Sequence, residues 1–293
     1  MNAPSLRPDR PPFQVVDNLG PDEAAQDIVA SFRYFSHMPN MLEASFERAM
    51  QTIGLDRRDP LHIAGTQVVR AMDRGTGVGA GNAYHNAMHF CEVMLCTLFV
   101  AQLARLTRRE QAQVVIASLL HDFHHDGATN GSESFRLELI ACREAEAYLR
   151  RADVTQEEQG RVNALILSTE IVMGVPLARS CYVKHFLGGP EPVPLRMHPE
   201  LVALINDPRL ALQAVVLSEA DILPSVGLTI EHADINEARL EAEIKRTLGP
   251  ENKIQFIDHA IGEFLVAKFF MPNLRTIRKA NLDRIQTRMT VDR

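Results

Sequence analysis

Tyr84-His85-Asn86-Ala87-Met88-His89 and His121-Asp122-Phe123-His124-His125-Asp126-Gly127-Ala128-Thr129-Asn130 are the two stretches on which the reading of this chain turns. Both adjoin strongly apolar sequence: Val93, Leu95, Leu98 and Phe99 follow the first, and Val114, Val115, Ile116, Leu119 and Leu120 precede the second. On a helix, residues four apart share a face, with Cβ atoms about 5–6 Å apart. The spacing therefore predicts that His85 pairs with His89 and His121 with His125. Imidazoles and a carboxylate carried into apolar company need partners, because burying them unpaired costs about 2–7 kcal/mol each. A divalent metal ion satisfies several of them at once. The alternative, a core histidine satisfied by a local hydrogen bond, suits the isolated His37, His62, His198, His232 and His259. It suits less well the five histidines and Asp122 crowded into two windows.

Working outward, the apolar pattern is helical almost throughout, and the expected fold class is all-α. Ile28, Phe32 and Phe35 recur at helical spacing. Asp59-Pro60 reads as an N-cap followed by proline at the first helical position. Further helices are expected over residues 82–105, 108–121, 133–151, 155–174, 199–206, 209–219, 234–247, 252–270 and 273–289. The stretch Lys184 to Met197, containing GGPEPVP, reads as a long irregular connection. The glycine-rich Gly75 to Gly81 lacks a preceding strand and a Gly-Lys-Ser/Thr ending, so it reads as a flexible turn and not as a phosphate loop. Residues 1–22 hold five of the 16 prolines and are expected to be a flexible lead. Residues 23–272 then form one helical domain, and 273–293 an amphipathic helix with six basic and two acidic residues. That helix is expected to pack on its own domain, with a second copy in a homodimer as the alternative.

Composition sets the outer bounds. The 293 residues are 46 % hydrophobic and 23 % charged, enough for a sizeable core. The net charge is −6 and no basic stripe is present, which argues against a nucleic-acid partner. A phosphate-bearing substrate must then be attracted locally, by cations or a few placed side chains. Four cysteines without a CxxC pair fit a reduced, cytoplasmic protein. The N-terminal MNAPSLRPDRPP has no signal-peptide core, and the apolar run Val93 to Ala104 is too short to span a bilayer, so no membrane association is expected.

HNxxH followed by HDxxHxGxxN resembles the signature of the class I cyclic-nucleotide phosphodiesterases, within the wider HD phosphohydrolase superfamily. The His-Asp doublet is generic; Gly127 and Asn130 make it specific. Downstream, Leu167-Ser168-Thr169-Glu170 is similar to the family's Ala-Thr-Asp segment, with Glu in place of Asp. Glu219-Ala220-Asp221-Ile222-Leu223-Pro224 is similar to the segment that supplies the last metal-binding aspartate, and Phe256-Ile257-Asp258 to the late helix that lines the base pocket. The likeness spans about residues 82–265.

The resemblance implies a compact multi-helix HD-type bundle with a buried binuclear metal site. His89, His121, Asp122 and Asp221 would hold zinc, iron or manganese, and Asp122 would bridge to a magnesium or manganese ion held mostly by water. A water between two such ions becomes acidic enough to attack phosphorus. His85 would act as general acid toward the departing 3′ oxygen. Asn86, His125, Asn130, Thr169, Glu170 and Glu138 (with Glu144 or Glu146 as substitutes) would orient ligands and waters. Tyr84, Gln255 and Phe256 would contact substrate. The implied reaction is hydrolysis of cyclic AMP or cyclic GMP to the 5′-nucleotide; the alternatives are another phosphate mono- or diester, or a metal-binding regulator without turnover. Three departures stand out. The segment between the His-Asp and Thr-Glu motifs is short. Asp126 replaces a proline. Lys253 stands three residues before Phe256, where the family has a glutamine that can both donate to and accept from a purine edge.

Overall fold

The computed structural model describes residues 19–79, 81–192, 198–264 and 266–291. Residues 1–18 of the expected lead and 193–197 of the expected connection lie outside the described residues. Among the described residues there is no strand. The helices are α1 (Pro21–Ser36), α2 (Met41–Ile53), α3 (Pro60–Asp73), α4 (Ala87–Leu103), α5 (Arg108–Leu120), α6 (Arg136–Arg151), α7 (Gln156–Leu167), α8 (Gly174–Leu187), α9 (Val202–Asn206), α10 (Pro208–Val226), α11 (Ile230–Ile244), α12 (Gly249–Glu263) and α13 (Met271–Val291).

Three of them form the centre. On α4 every residue from His89 to Ala101 is buried, on α5 every residue from Ala112 to Leu120, and on α10 every residue from Leu210 to Ala220. Helices apolar all round belong inside a bundle. α10 packs on α4, α5 and α8; α2, α3, α6 and α7 sheathe the other side. Local chemistry fixes where each begins. Asp59 accepts from the Leu61 N–H ahead of α3, Thr107 and Glu110 form a reciprocal capping box on α5, and Asp207 accepts from the Arg209 and Leu210 N–H groups at the start of α10.

The structure corrects several expected boundaries. α4 starts at Ala87 and not near residue 82, because the Asn86 side chain accepts from the Met88 N–H as its N-cap. The helix expected over 155–174 ends at Leu167, and a separate α8 follows in a stretch expected to be partly irregular. Pro176 lies in the first turn of α8, where its missing N–H costs nothing. The irregular connection therefore begins at Gly188. The segment expected as one helix over 252–270 breaks after α12, because the buried Glu219 carboxylate takes the N–H groups of Val266 and Ala267 and starts a short 3-10 turn there. α13 docks on α12 and α11 of its own chain. It buries Leu274 and Ile277, and it pairs Arg278 with Asp258, Arg284 with Asp234 and Arg288 with Glu251. No single described helix is long and apolar enough to cross a membrane.

Candidate active site

The ends of the three central helices meet at one place. His89 lies in the first turn of α4, His121 and Asp122 directly follow α5, and Asp221 lies on α10. His89 Nε2 is 3.3 Å from Asp122 Oδ2 and 3.3 Å from Asp221 Oδ1; His121 Nε2 is 3.1 and 3.3 Å from the same two oxygens. His121 Nδ1–H donates to the Ser118 carbonyl at 2.8 Å, which leaves its Nε2 lone pair facing the carboxylates. Both Nε2 atoms are buried, and neither makes an aligned hydrogen bond despite those short approaches.

A divalent cation fits this set. Ligand atoms of His89, His121 and Asp221 lie within 4.8 Å of one another, and Asp122 Oδ2 approaches both imidazole nitrogens, as atoms do that share a centre about 2.0–2.2 Å away. The electrostatics agree. Burial opposes charge on His89, yet Asp122 and Asp221 hold its imidazole up to about 9. His121 is likewise held well above its ordinary value against burial, while the two aspartates, also against burial, are held well below theirs by the histidines. The carboxylates thus demand positive charge, and a metal ion competes with protons for that role.

The pairing predicted from helical spacing is corrected. His85 precedes α4 and His125 follows α5, so neither shares a helix with its expected mate. Instead their rings stack on each other, 4.0 Å between centroids and 16° from parallel, while His89 faces His121. His85 Nδ1–H donates to Glu243 Oε1 on α11 at 2.5 Å, and Glu243 Oε2 accepts from the backbone N–H groups of Tyr84 and His85 at 2.7 and 3.0 Å. Burial works against ionising Glu243, but the His85 hydrogen bond takes its carboxyl down to about 2. His125 Nδ1 accepts from the Gly127 N–H at 3.0 Å, and burial pushes this imidazole below its ordinary value, so it lies neutral beneath His85. Ligating atoms of His85, His125 and Glu243 also converge. Both Nδ1 atoms are occupied, however, that of His85 by Glu243 and that of His125 by the Gly127 N–H, which leaves one free nitrogen on each ring.

The two windows are tied together by Asn82, whose Nδ2 donates to the carbonyls of His85 (3.2 Å) and His125 (3.1 Å). The glycine-rich turn presses against the second window: the Gly77 carbonyl accepts from the His124 N–H, and with φ +70° a Cβ there would lie 2.2 Å from the Phe123 ring.

Residues 84–138, which contain both windows, match the family model described as 3′5′-cyclic nucleotide phosphodiesterase. The stretch that carries both windows is thus similar to the 3′5′-cyclic nucleotide phosphodiesterases. The fold of the chain is similar to the phosphodiesterase domain of the RhoPDE fusion protein from the choanoflagellate Salpingoeca rosetta, with TM-score 0.56 and 19 % identity over 95 % of this chain and 94 % of that one. A further structure, of the phosphodiesterase domain of Salpingoeca rosetta rhodopsin phosphodiesterase, gives 0.61 and 18 % over 97 % and 93 %. LmjPDEB1 in complex with IBMX gives 0.59 and 14 % over 90 % and 88 %. At such identities the likeness is one of fold. No curated protein sequence matches the chain.

The remaining expected residues divide. Of the three glutamates on α6, Glu138 alone is buried; Asn130 Nδ2 donates to it at 3.0 Å, and burial raises its carboxyl, with the charges of Asp122 and Glu170 adding to the rise. Glu144 and Glu146 pair instead with Arg143 and Arg150. Thr169 donates to the Ile166 carbonyl. Glu170 is buried and spends Oε2 on the N–H groups of Val172, Met173 and Gly174. Asn86 gives its amide to the backbone of residues 82, 83 and 88. Tyr84 lies over His89, 4.8 Å between centroids, and bonds Ser225 Oγ at 2.9 Å. Gln255 and Phe256 lie on the exposed face of α12, whereas Lys253 is buried and donates to the Ala233 carbonyl on α11 at 3.0 Å. Sequence reasoning missed Glu243 and Asn82. Nothing local separates Glu243 from the other acidic residues of α11; Asn82, three residues before His85, is a signal that could have been read.

Proposed function

We propose that the chain hydrolyses 3′,5′-cyclic nucleotides to 5′-nucleotides with divalent metal ions held by His89, His121, Asp122 and Asp221. The observation that carries this reading is the position of His85. Its ring lies 5.5 Å from that of His89, and with Nδ1 committed to Glu243 only Nε2 is left to carry a proton to the substrate. A bound divalent ion supplies charge to offset the phosphoryl oxygens and lowers the pKa of water to yield a nucleophile. The chain's own residues handle the leaving group. The Glu243 carboxylate accepts from Nδ1 and fixes the ring, and His85 gives its Nε2 proton to the 3′ oxygen so that it departs as an alcohol. His125, held neutral, supports the ring from beneath without competing for that proton. Asn130 and Glu138 flank Asp122, where a second ion would be steadied through water.

Base preference is argued from α12. Lys253 is turned into the seam with α11, so it leaves the base edge to other groups. Gln255 and Phe256 are the residues of α12 free to take that part, and an amide can match adenine or guanine. The test is turnover by purified, manganese-loaded protein of cyclic AMP, GMP, CMP and UMP and of 2′,3′-cyclic nucleotides. Hydrolysis of a 3′,5′-cyclic purine nucleotide that disappears in His85→Ala supports the reading. Hydrolysis of bis-p-nitrophenyl phosphate without turnover of any cyclic nucleotide would move the substrate to another phosphate ester.

A further inference from the structure

α11 is attached to the body in an unusual way. Where α10 buries fourteen residues, α11 buries only His232, Ala233 and Asn236, and two of these are polar. Its Ile235 and Ile244 are exposed. What faces α4 is a polar stripe, His232, Asn236, Arg239 and Glu243, at spacings of four, three and four that keep it on one side of the helix. The upper part of this stripe converges on one residue. Glu92, 2 % exposed and one turn beyond His89 on α4, receives Arg239 Nη1 at 2.9 Å and lies 3.3 Å from His232 Nε2 on the same oxygen. Arg239 Nη1 also donates to Asn236 Oδ1 at 2.9 Å, and its guanidinium lies 5.9 Å from the Phe32 ring centroid of α1. The lower end of the stripe is Glu243 on His85.

We propose that Arg239, through its buried pair with Glu92, is a positioning residue that sets the register of α11 and so holds the Glu243 carboxylate on His85. With so little apolar burial, α11 relies on polar contacts, Arg284 on Asp234 and Lys253 on the Ala233 carbonyl among them, to resist sliding or rotation, and one residue of slip turns a side chain by about 100°. A bidentate-capable guanidinium on a buried carboxylate resists such a slip. Arg239 and Glu243 stand one turn apart on α11, and their partners lie on α4 (Glu92) and just before it (His85). The pair therefore acts as the second of two links between α11 and this part of the chain. This inference rests on the reading of His85 as the acid.

The experiment uses the full chain with 15N-labelled histidine. The His85 Nδ1 proton, shared with Glu243, is expected as a downfield resonance identified by its absence in His85→Asn. In Arg239→Met that resonance is expected to vanish or move upfield, and in Arg239→Lys to return. In parallel, kcat for a 3′,5′-cyclic nucleotide should fall about 10²-fold in Arg239→Met with KM nearly unchanged. Turnover of bis-p-nitrophenyl phosphate, whose leaving group needs no proton, should be preserved. A resonance unmoved in Arg239→Met, or equal loss on both substrates, would overturn the proposal. If Arg239→Met does not fold, Glu92→Gln takes the same readouts with the same expected directions. Absence of cyclic-nucleotide turnover in the wild type would count against the substrate reading alone, because the resonance still decides whether Arg239 holds the Glu243–His85 contact.

Discussion

Asp221 reaches the centre from a different helix than Asp122, yet both carboxylates face the same two imidazole nitrogens. Asp221→Asn keeps the shape and removes one negative charge. Loss of a group that merely orients a ligand costs about 10–100-fold in metal affinity, so loss of a ligand is expected to cost at least that, read by metal titration. In metal-free protein the same change should lower the His89 pKa from about 9, since burial already disfavours the imidazolium and one of the two carboxylates opposing it is gone. An unmoved His89 titration would contradict the geometry. Glu243→Gln is expected to reduce kcat on a cyclic nucleotide about 10²-fold while sparing bis-p-nitrophenyl phosphate. At this scale the sequence was legible where the converging residues are neighbours in the chain: His85, His89, His121 and Asp122 stand out as windows. Asp221 was reached only through the family resemblance. Glu243 was not reached, because α11 carries five acidic residues and only tertiary structure tells one from another.

Among the elements, periodicity located helices well where a full turn of apolar residues continued and poorly where a side chain ends a helix by taking backbone N–H groups. The i, i+4 rule needs both residues inside one helix. Asn86 and the end of α5 at Leu120 put His85 and His125 outside, and the true pairs run across helices. α8 was hidden for the same kind of reason. Its start is built by Glu170, whose carboxylate gathers three successive N–H groups. An aspartate, one methylene shorter, fits the family's motif but not this task. Glu170→Asp is therefore expected to destabilise the fold by about 1–2 kcal/mol, measured by chemical denaturation, although it restores the family residue. Wild-type stability in that variant would show that α8 needs no such cap. The proline replaced by Asp126 is compensated similarly. Arg136 grips both Asp126 oxygens and the Thr129 carbonyl, closing the loop that delivers Asn130 to Glu138. Arg136→Met is expected to speed hydrogen exchange at the Leu137 amide, which Asn130 Oδ1 holds, by several-fold with little change in Tm.

Across the whole molecule, α5, α7 and α10 are fastened by a polar network at some remove along the chain from the catalytic ends. Arg209 of α10 grips Glu110 of α5, Arg161 of α7 grips Asp207, and the buried Gln213 links Glu110's carbonyl, Gln113 and Arg161. Burial would raise the Glu110 carboxyl, but Arg209 and the Thr107 N–H together take it below its ordinary 4.5. A carboxylate with a depressed folded pKa stabilises the fold above its unfolded value and loses that contribution as pH falls through the folded pKa. Glu110→Gln is accordingly expected to lower stability by about 1 kcal/mol at pH 7, the Arg209 side being partly exposed and screened. The difference in Tm between wild type and variant should stay constant down to about pH 5, then shrink toward zero as wild-type Glu110 itself becomes neutral. Both proteins should be measured metal-free, so that proton competition at His89 and His121 cancels between them. A gap that widened on acidification would mean that Glu110 is held in the folded state by its proton and not by Arg209, and the account of how α5, α7 and α10 are registered would have to change.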